Sequence, residues 1–258
     1  MTDRRTVLIT GASAGLGAEF ARQLAANDHN LILVARRRDK LEQLATGLSA
    51  DFGIECHVLT ADLAEPAAAQ ALYDAIQSLG LQVDYLVNNA GIAGPDLLDD
   101  RDWQAQTDFF QLMMTSVAHL CHLFVPAMRE RGFGRVINVA SVAARLPRAD
   151  GCNYGPSKAY LISLSEALSV TLKDTGVNVC ALCPGYTHTD FHATAGLQEM
   201  KAGLPKWLWY PAEGVVADGI KAVDKGKSIC ISGRLYRWLD PLFQSVWTRR
   251  LFRAPGRK

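Results

Sequence analysis

The chain has 258 residues, of which 49 % are hydrophobic and 21 % charged, with a formal net charge of +1. It is too apolar for a disordered chain, and it lacks the overall positive charge that would favour nucleic acid. The length is ample for a full core. Charge is uneven, however: residues 1–200 hold 15 Lys/Arg against 22 Asp/Glu, and residues 201–258 hold 12 against 4.

No run reaches the roughly 18 consecutive apolar residues of a membrane-spanning helix. Met1-Thr2-Asp3-Arg4-Arg5 leads straight into a strand-like stretch without a signal-peptide pattern. The six cysteines are scattered, with Cys121, Cys180 and Cys230 in apolar surroundings. Buried, reduced thiols in a cytoplasmic protein account for them.

The first predicted strand, 6–10, ends in Thr10-Gly11-Ala12-Ser13-Ala14-Gly15-Leu16-Gly17, and a helix at 16–27 follows. Glycines let a backbone approach phosphates, and the N–H groups and dipole of a helix N-terminus face an anion. Such a turn also occurs simply to join a strand to a helix. The second strand, 31–35, ends in Val34-Ala35 and three arginines, Arg36, Arg37 and Arg38, before a helix at 39–50. A site for NAD places an acid here on the ribose 2′-hydroxyl, whereas an arginine pairs with the 2′-phosphate of NADP. A solvated cluster at the helix start is the plainer reading, but cations are disfavoured at the positive end of a helix dipole.

A strand at 54–60, a helix at 66–79 and a strand at 85–88 continue the alternation. A long apolar helix is predicted over 103–131, then a strand at 136–140 ending at Ser141. The helix predicted at 154–174 opens with Tyr154 and Lys158, four apart and so on one face. A phenol has a pKa near 10, and a neighbouring ammonium favours its phenolate. A strand at 177–183 carries Cys180 and Cys183, whose odd spacing sends the two thiols to opposite faces. Residues 184–211 break the pattern with glycines, prolines and Trp207-Leu208-Trp209-Tyr210, and are read as a substrate lid over about 186–211. A helix at 212–224 and a strand at 228–232 follow.

The strands barely alternate, as expected when both faces are covered. The whole predicts one α/β domain over 1–258: a Rossmann-type doubly wound parallel sheet of about seven strands with helices on both faces. The basic C-terminal segment, 234–258, mixes Tyr236, Trp238, Phe243, Trp247 and Phe252 with Arg249, Arg250, Arg253 and Arg257. It could touch a membrane peripherally, close the substrate pocket or meet a partner subunit. Pro241 is expected to interrupt any single helix there. His119 and His122, and His188 and His192, have helical spacing but no third ligand, so no metal site is expected.

Taken in order, these motifs resemble the short-chain dehydrogenase/reductase family over nearly the whole chain. The matching pieces are TGASAGLG at 10–17, Asp62, Asn88-Asn89-Ala90-Gly91, Ser141, Tyr154, Lys158, Pro184-Gly185, Thr187 and Thr189. The stretch RRRDKLEQLA at 36–45 is similar to NADP-preferring carbonyl- and ketone-reducing branches. The resemblance implies that Gly11, Ser13, Gly15, Leu16 and Gly17 line NADP(H) and that Arg36 selects it. Asp62 and Leu63 would flank the adenine, with Asn89, Ala90 and Gly91 along the ribose. Pro184 and Gly185 would also line the cofactor, and Thr187 and Thr189 would contact the carboxamide of its nicotinamide. Tyr154 would exchange the proton, Ser141 would polarise the carbonyl, and Lys158 would hold the ribose and lower the phenol's pKa. A homodimer or homotetramer and a small carbonyl or alcohol substrate are also implied.

One residue departs from the family. Where an asparagine normally helps hold a water that links the lysine to solvent, this chain has Met113, which cannot donate and accepts only weakly. Ser116 and Gln111 are candidate substitutes. Two functions are therefore carried forward: a hydride-transferring NADP(H) oxidoreductase, and an NADP(H)-binding regulator with weakened catalysis.

Overall fold

A computed structural model describes residues 4–146, 152–188 and 205–248. Six parallel strands lead the chain: β1 (Thr6–Thr10), β2 (Asn30–Ala35), β3 (Cys56–Thr60), β4 (Tyr85–Asn88), β5 (Gly134–Val139) and β6 (Val177–Cys183). A two-stranded pair, β7 (Tyr186–Thr187) and β8 (Trp209–Tyr210), stands apart. Then β9 (Ile229–Ile231) completes a seven-stranded sheet ordered β3-β2-β1-β4-β5-β6-β9. The expected doubly wound sheet is what forms.

Alternation within each strand makes two cores. Val7 and Ile9 of β1 face one layer while Leu8 faces the other. The first layer packs α1 (Gly15–Ala26), α2 (Arg38–Phe52) and α7 (Ala212–Asp224) through Phe20, Leu24, Leu41 and Val216. The second packs α3 (Ala68–Ser78), α5 (Ser116–Glu130) and α6 (Tyr154–Thr171) through Ile76, Leu120, Phe124 and Leu161. Burying both faces is what makes these strands read as continuous apolar runs. Cys180 lies in one core and Cys183 in the other, as their odd spacing requires.

The order reverses direction between β1 and β4, so the chain leaves these two neighbours on opposite sides. The carboxyl ends at such a switch open a crevice where ligands bind.

Two departures from the sequence reading, the π turn in the long helix and the course of the C-terminal segment, are informative. The long helix is continuous over 103–130, but its turn at Gln111–Thr115 is π-helical between α4 (Trp103–Phe110) and α5. A π turn inserts one extra residue, which periodicity cannot detect, and such turns gather at functional sites. Its apolar residues Phe109, Leu112, Val117, Leu120 and Phe124 are buried within the chain, so they are core and not a free subunit face. Lastly, Pro241 does not break the C-terminal segment: it lies inside α8 (Arg234–Gln244). Only three residues follow it in the helix, and tertiary anchors on either side, Tyr236 and Phe243, are buried. The lost backbone bond is thereby outweighed by packing.

Candidate active site

The glycine loop is held from β4. Thr10 Oγ1 donates to Val87 O at 3.3 Å and accepts from the backbone N–H groups of Asn89 (3.0 Å) and Ala90 (3.1 Å). That uses the hydroxyl's whole capacity. The Asn89 amide donates to the carbonyls of Thr10 (2.9 Å) and Gly11 (3.2 Å). Space under the loop is consequently minimal. A Cβ on Gly17 would stand 2.2 Å from Gly11 O, and one on Gly11, at φ +66°, would stand 2.9 Å from Ala90 Cα.

The loop delivers the chain to the start of α1, whose cap residue, Ala14, makes no side-chain cap bond, and whose first turn carries no acid. Its leading N–H groups are suited to an anion. On the neighbouring strand end, Arg36 is 67 % exposed along its side chain and reaches Asp62 at 3.4 Å. Arg37 donates to Ser13 Oγ at 3.0 Å, whereas Arg38 turns to Glu42 at 2.7 Å. Arg37 thus reaches the glycine loop, and Arg36 stands beside it in sequence at the end of the neighbouring strand. The close-packed glycines, uncapped helix and paired cations fit the phosphates of a dinucleotide. Leu63 is buried in the second core, and Thr189 lies outside the described residues.

At the ends of β5 and β6 the second cluster assembles. Ser141 begins the short turn Val142–Ala144, and its Oγ accepts from Ala143 N at 3.1 Å. Burial pushes the Tyr154 phenol up to about 12, and its hydrogen bond to Ser141 acts in the opposite sense. Lys158 is 5 % exposed. Burial pushes its ammonium down to about 8. Its Nζ donates to Val139 O at 2.8 Å and lies 5.7 Å from the centre of the Tyr154 ring. The expected lowering of the phenol by Lys158 is therefore not what prevails here. Desolvation penalises the charged form of both groups and is the largest influence on each.

Met113 is 1 % exposed. Its sulfur accepts from Ile92 N–H at 3.4 Å, and a Cβ on Gly91 would sit 3.2 Å from that sulfur and 3.7 Å from Lys158 Nζ. The residue thus holds the loop that separates it from the lysine. Ser116, considered as a substitute, gives its hydroxyl to Leu112 O at 2.8 Å, a bond within the helix.

The sequence reading did not single out Arg37 or the Asn153–Gln106 pair, and it named Tyr236 only among the C-terminal aromatics that could close the pocket. Arg37 was one of three adjacent arginines, with nothing local to distinguish its direction. Asn153, immediately before Tyr154, is locked to Gln106 Oε1 and donates to Pro95 O at 3.1 Å. Gln106 in turn donates to Asp96 O at 2.8 Å. A buried amide on the apolar face of a helix was the available signal. Tyr236 of α8 donates to Leu208 O at 3.1 Å and packs on Gly185, where a Cβ would come within 2.0 Å of its ring. Gly185 leads into Thr187, whose Oγ1 donates to Gly185 O at 3.0 Å.

Residues 5–200 match the model of the short chain dehydrogenase family. The ketoacyl reductase HetN of Nostoc sp. is 31 % identical over 224 residues, covering 87 % of this chain and 76 % of the relative. Sulfoacetaldehyde reductase 2 of Chromohalobacter salexigens is 34 % identical over 190 residues, covering 72 % and 73 %. A short-chain dehydrogenase from Sphingobium yanoikuyae, solved in complex with NADPH, superposes with a TM-score of 0.81 at 30 % identity, covering 91 % of each chain.

The lysine offers a direct measurement. Between about pH 8 and its ordinary value of 10.5, the folded state holds one proton fewer at Lys158 than the unfolded state. Stability from this residue is fully present above 10.5 and is lost as pH falls through about 8. Lysine side-chain NMR of the unliganded protein should show one resonance titrating near 8 that vanishes in Lys158→Met. The rise in melting temperature across the same window should flatten in that variant. A spectrum in which every lysine titrates at its ordinary value would refute the assignment.

Proposed function

Because the chain belongs to the short-chain dehydrogenase/reductase family, we propose that it is an NADP(H)-dependent oxidoreductase acting on a carbonyl or secondary alcohol. The carrying observation is the cluster of Ser141, Tyr154 and Lys158 beside the glycine-loop crevice. Oxidoreductase chemistry follows from the family. The preference for NADP(H) is supported by Arg36 and Arg37 and by the NADPH-bound relative.

The nicotinamide, when bound, supplies or takes the hydride. In reduction, Tyr154 gives its hydroxyl proton to the carbonyl oxygen as the carbon gains the hydride, and a C–H and an O–H bond replace the C=O π bond. Ser141 donates to the same oxygen, so charge develops against a fixed dipole. A phenol near 12 is neutral at ordinary pH, the form needed to give a proton. Lys158 has one N–H engaged by Val139 O, and its others would be available to the ribose hydroxyls of the bound cofactor. Arg36 and Arg37 would hold the 2′-phosphate. Reductases for ketoacyl groups and for sulfoacetaldehyde both stand among the relatives, so the substrate is proposed only as a small carbonyl compound or its alcohol. A homodimer or homotetramer is proposed from the family. Its contacts would draw on exposed side chains such as Tyr160 and Val170 of α6.

The second reading, a cofactor-binding regulator with weakened catalysis, rests on Met113. Turnover of aldehydes, ketones, diketones and steroids, followed by NADPH absorbance, separates the two. Substrate-independent NADPH binding with no turnover across the panel would favour the regulator.

Tyr154→Phe keeps the ring and removes the proton. Folding and NADPH affinity should persist while kcat falls by about 10²-fold or more. Retention of most of the activity would remove Tyr154 from the proton step.

NADPH should bind more tightly than NADH, and Arg36→Asp should narrow or invert the ratio. A charge-assisted phosphate contact is worth about 1.5–3 kcal/mol, or roughly 10- to 100-fold. Equal affinities in the unmutated protein, measured by calorimetry, would contradict the phosphate reading.

Met113→Asn replaces a weak acceptor at Ile92 N–H with a strong one and adds a donor. If proton supply limits the rate, kcat per folded molecule should rise and the solvent isotope effect shrink, with NADPH affinity unchanged. A well-folded variant with lower kcat would show that the thioether fits the site better than the amide.

A further inference from the structure

The chain beyond the family match carries a surface of its own. The match ends at residue 200, and the basic surplus begins at 201. Helix α8 lies in this part. It buries Tyr236 and Phe243, and it turns Asp240 inward onto Arg145, with Arg145 Nε to Asp240 Oδ1 at 2.7 Å. At 100° per residue, Arg234, Arg237, Trp238, Pro241 and Leu242 share the opposite side, and all five are exposed. Trp238 is 77 % exposed, and Val246 and Trp247, just past the helix, are 78 % and 87 % exposed.

The charged residues that the helix itself places on this face are both arginines. They are Arg234 and Arg237, the latter with Asp218 at 3.8 Å. From residue 241 to 258 the sequence contains no acid and adds Arg249, Arg250, Arg253, Arg257 and Lys258. A second copy docked on this face by a two-fold axis would bring Arg234 and Arg237 toward the same patch of its partner. An anionic surface complements them.

Indole rings join an apolar body to one N–H donor, and guanidinium groups pair bidentately with phosphate. Together they suit the boundary between lipid headgroups and acyl chains. We propose that the outer face of α8, with Val246 and Trp247, docks on an anionic phospholipid bilayer. The same helix is tied to the site: Asp240 pairs with Arg145, the exposed Gln244 donates to Arg145 O at 3.1 Å from the helix edge, and Arg145 closes the turn that Ser141 begins. Docking thus places the bilayer against the helix that braces the catalytic turn, and it stands whether or not the assigned chemistry is correct.

The test is flotation of the full-length protein with vesicles of phosphatidylcholine alone and of phosphatidylcholine mixed with phosphatidylglycerol. Binding is expected only to the mixed vesicles, weakening as salt is raised. Arg234→Gln with Arg237→Gln should lower partitioning about tenfold or more, and Trp238→Ser with Trp247→Ser should reduce it at every salt concentration. NADPH binding and melting temperature are compared to establish that the variants are folded. Should either pair misfold, brominated lipid in the mixed vesicles should quench tryptophan fluorescence of the unmutated protein. No flotation and no quenching with mixed vesicles would overturn the proposal. So would folded variants that float like the parent, or tryptophan variants that turn an oligomer into a monomer while the parent ignores vesicles.

Discussion

The hydroxyl of Thr10 and the amide of Asn89 hold together two strand ends from which the chain departs in opposite directions. At a topological switch the crevice is open because no crossover covers it. An open crevice with unsupported loops would not hold a fixed shape. Here the β4 end braces the β1 loop so closely that glycine is required at positions 11 and 17. The same bonds occupy the Asn89 side chain, leaving its backbone rather than its amide to face a ligand. Rigidity at this point fixes where a phosphate can lie. The strand spacing then fixes how far that phosphate is from the ends of β5 and β6.

At those ends, burial is a single cause with opposite consequences. It raises a phenol and lowers an ammonium, so both groups move toward their neutral forms. The protein alone thus favours a proton-bearing tyrosine. Ser141 opposes that tendency with a hydrogen bond, and Val139 O stabilises the cationic lysine. The protonation of both groups thus rests on a balance between desolvation and a few directed bonds, next to the Asn153–Gln106 pair that anchors the start of α6.

The alternation of apolar strands and amphipathic helices was legible because both faces of the sheet are buried, which makes the strand signal strong. Gly11, Gly17, Tyr154 and Lys158 were legible because their constraints are local: a tight turn, or two residues one helical turn apart. What escaped depends on distant partners. The π turn at 111–115 does not alter composition. Arg37 differs from its neighbours only in meeting Ser13, 24 residues away. Pro241 argued against a helix by local propensity, and anchors elsewhere in the fold, among them the ion pair to Arg145, overrode it. Met113 read as a lost donor, but the sequence could not reveal that Ile92 N–H would find its sulfur.

The interlock of Gly185 with Tyr236 has a thermodynamic consequence. The ring occupies the volume a side chain would need, so the turn before Thr187 and the C-terminal helix cannot shift independently. Two binding events that bear on one such joint obey reciprocity. Whatever factor a contact on the outer side of the helix applies to affinity in the crevice, occupancy of the crevice applies the same factor to that contact. A residue pair chosen for close packing therefore makes the far end of the chain a reporter of the state of the site.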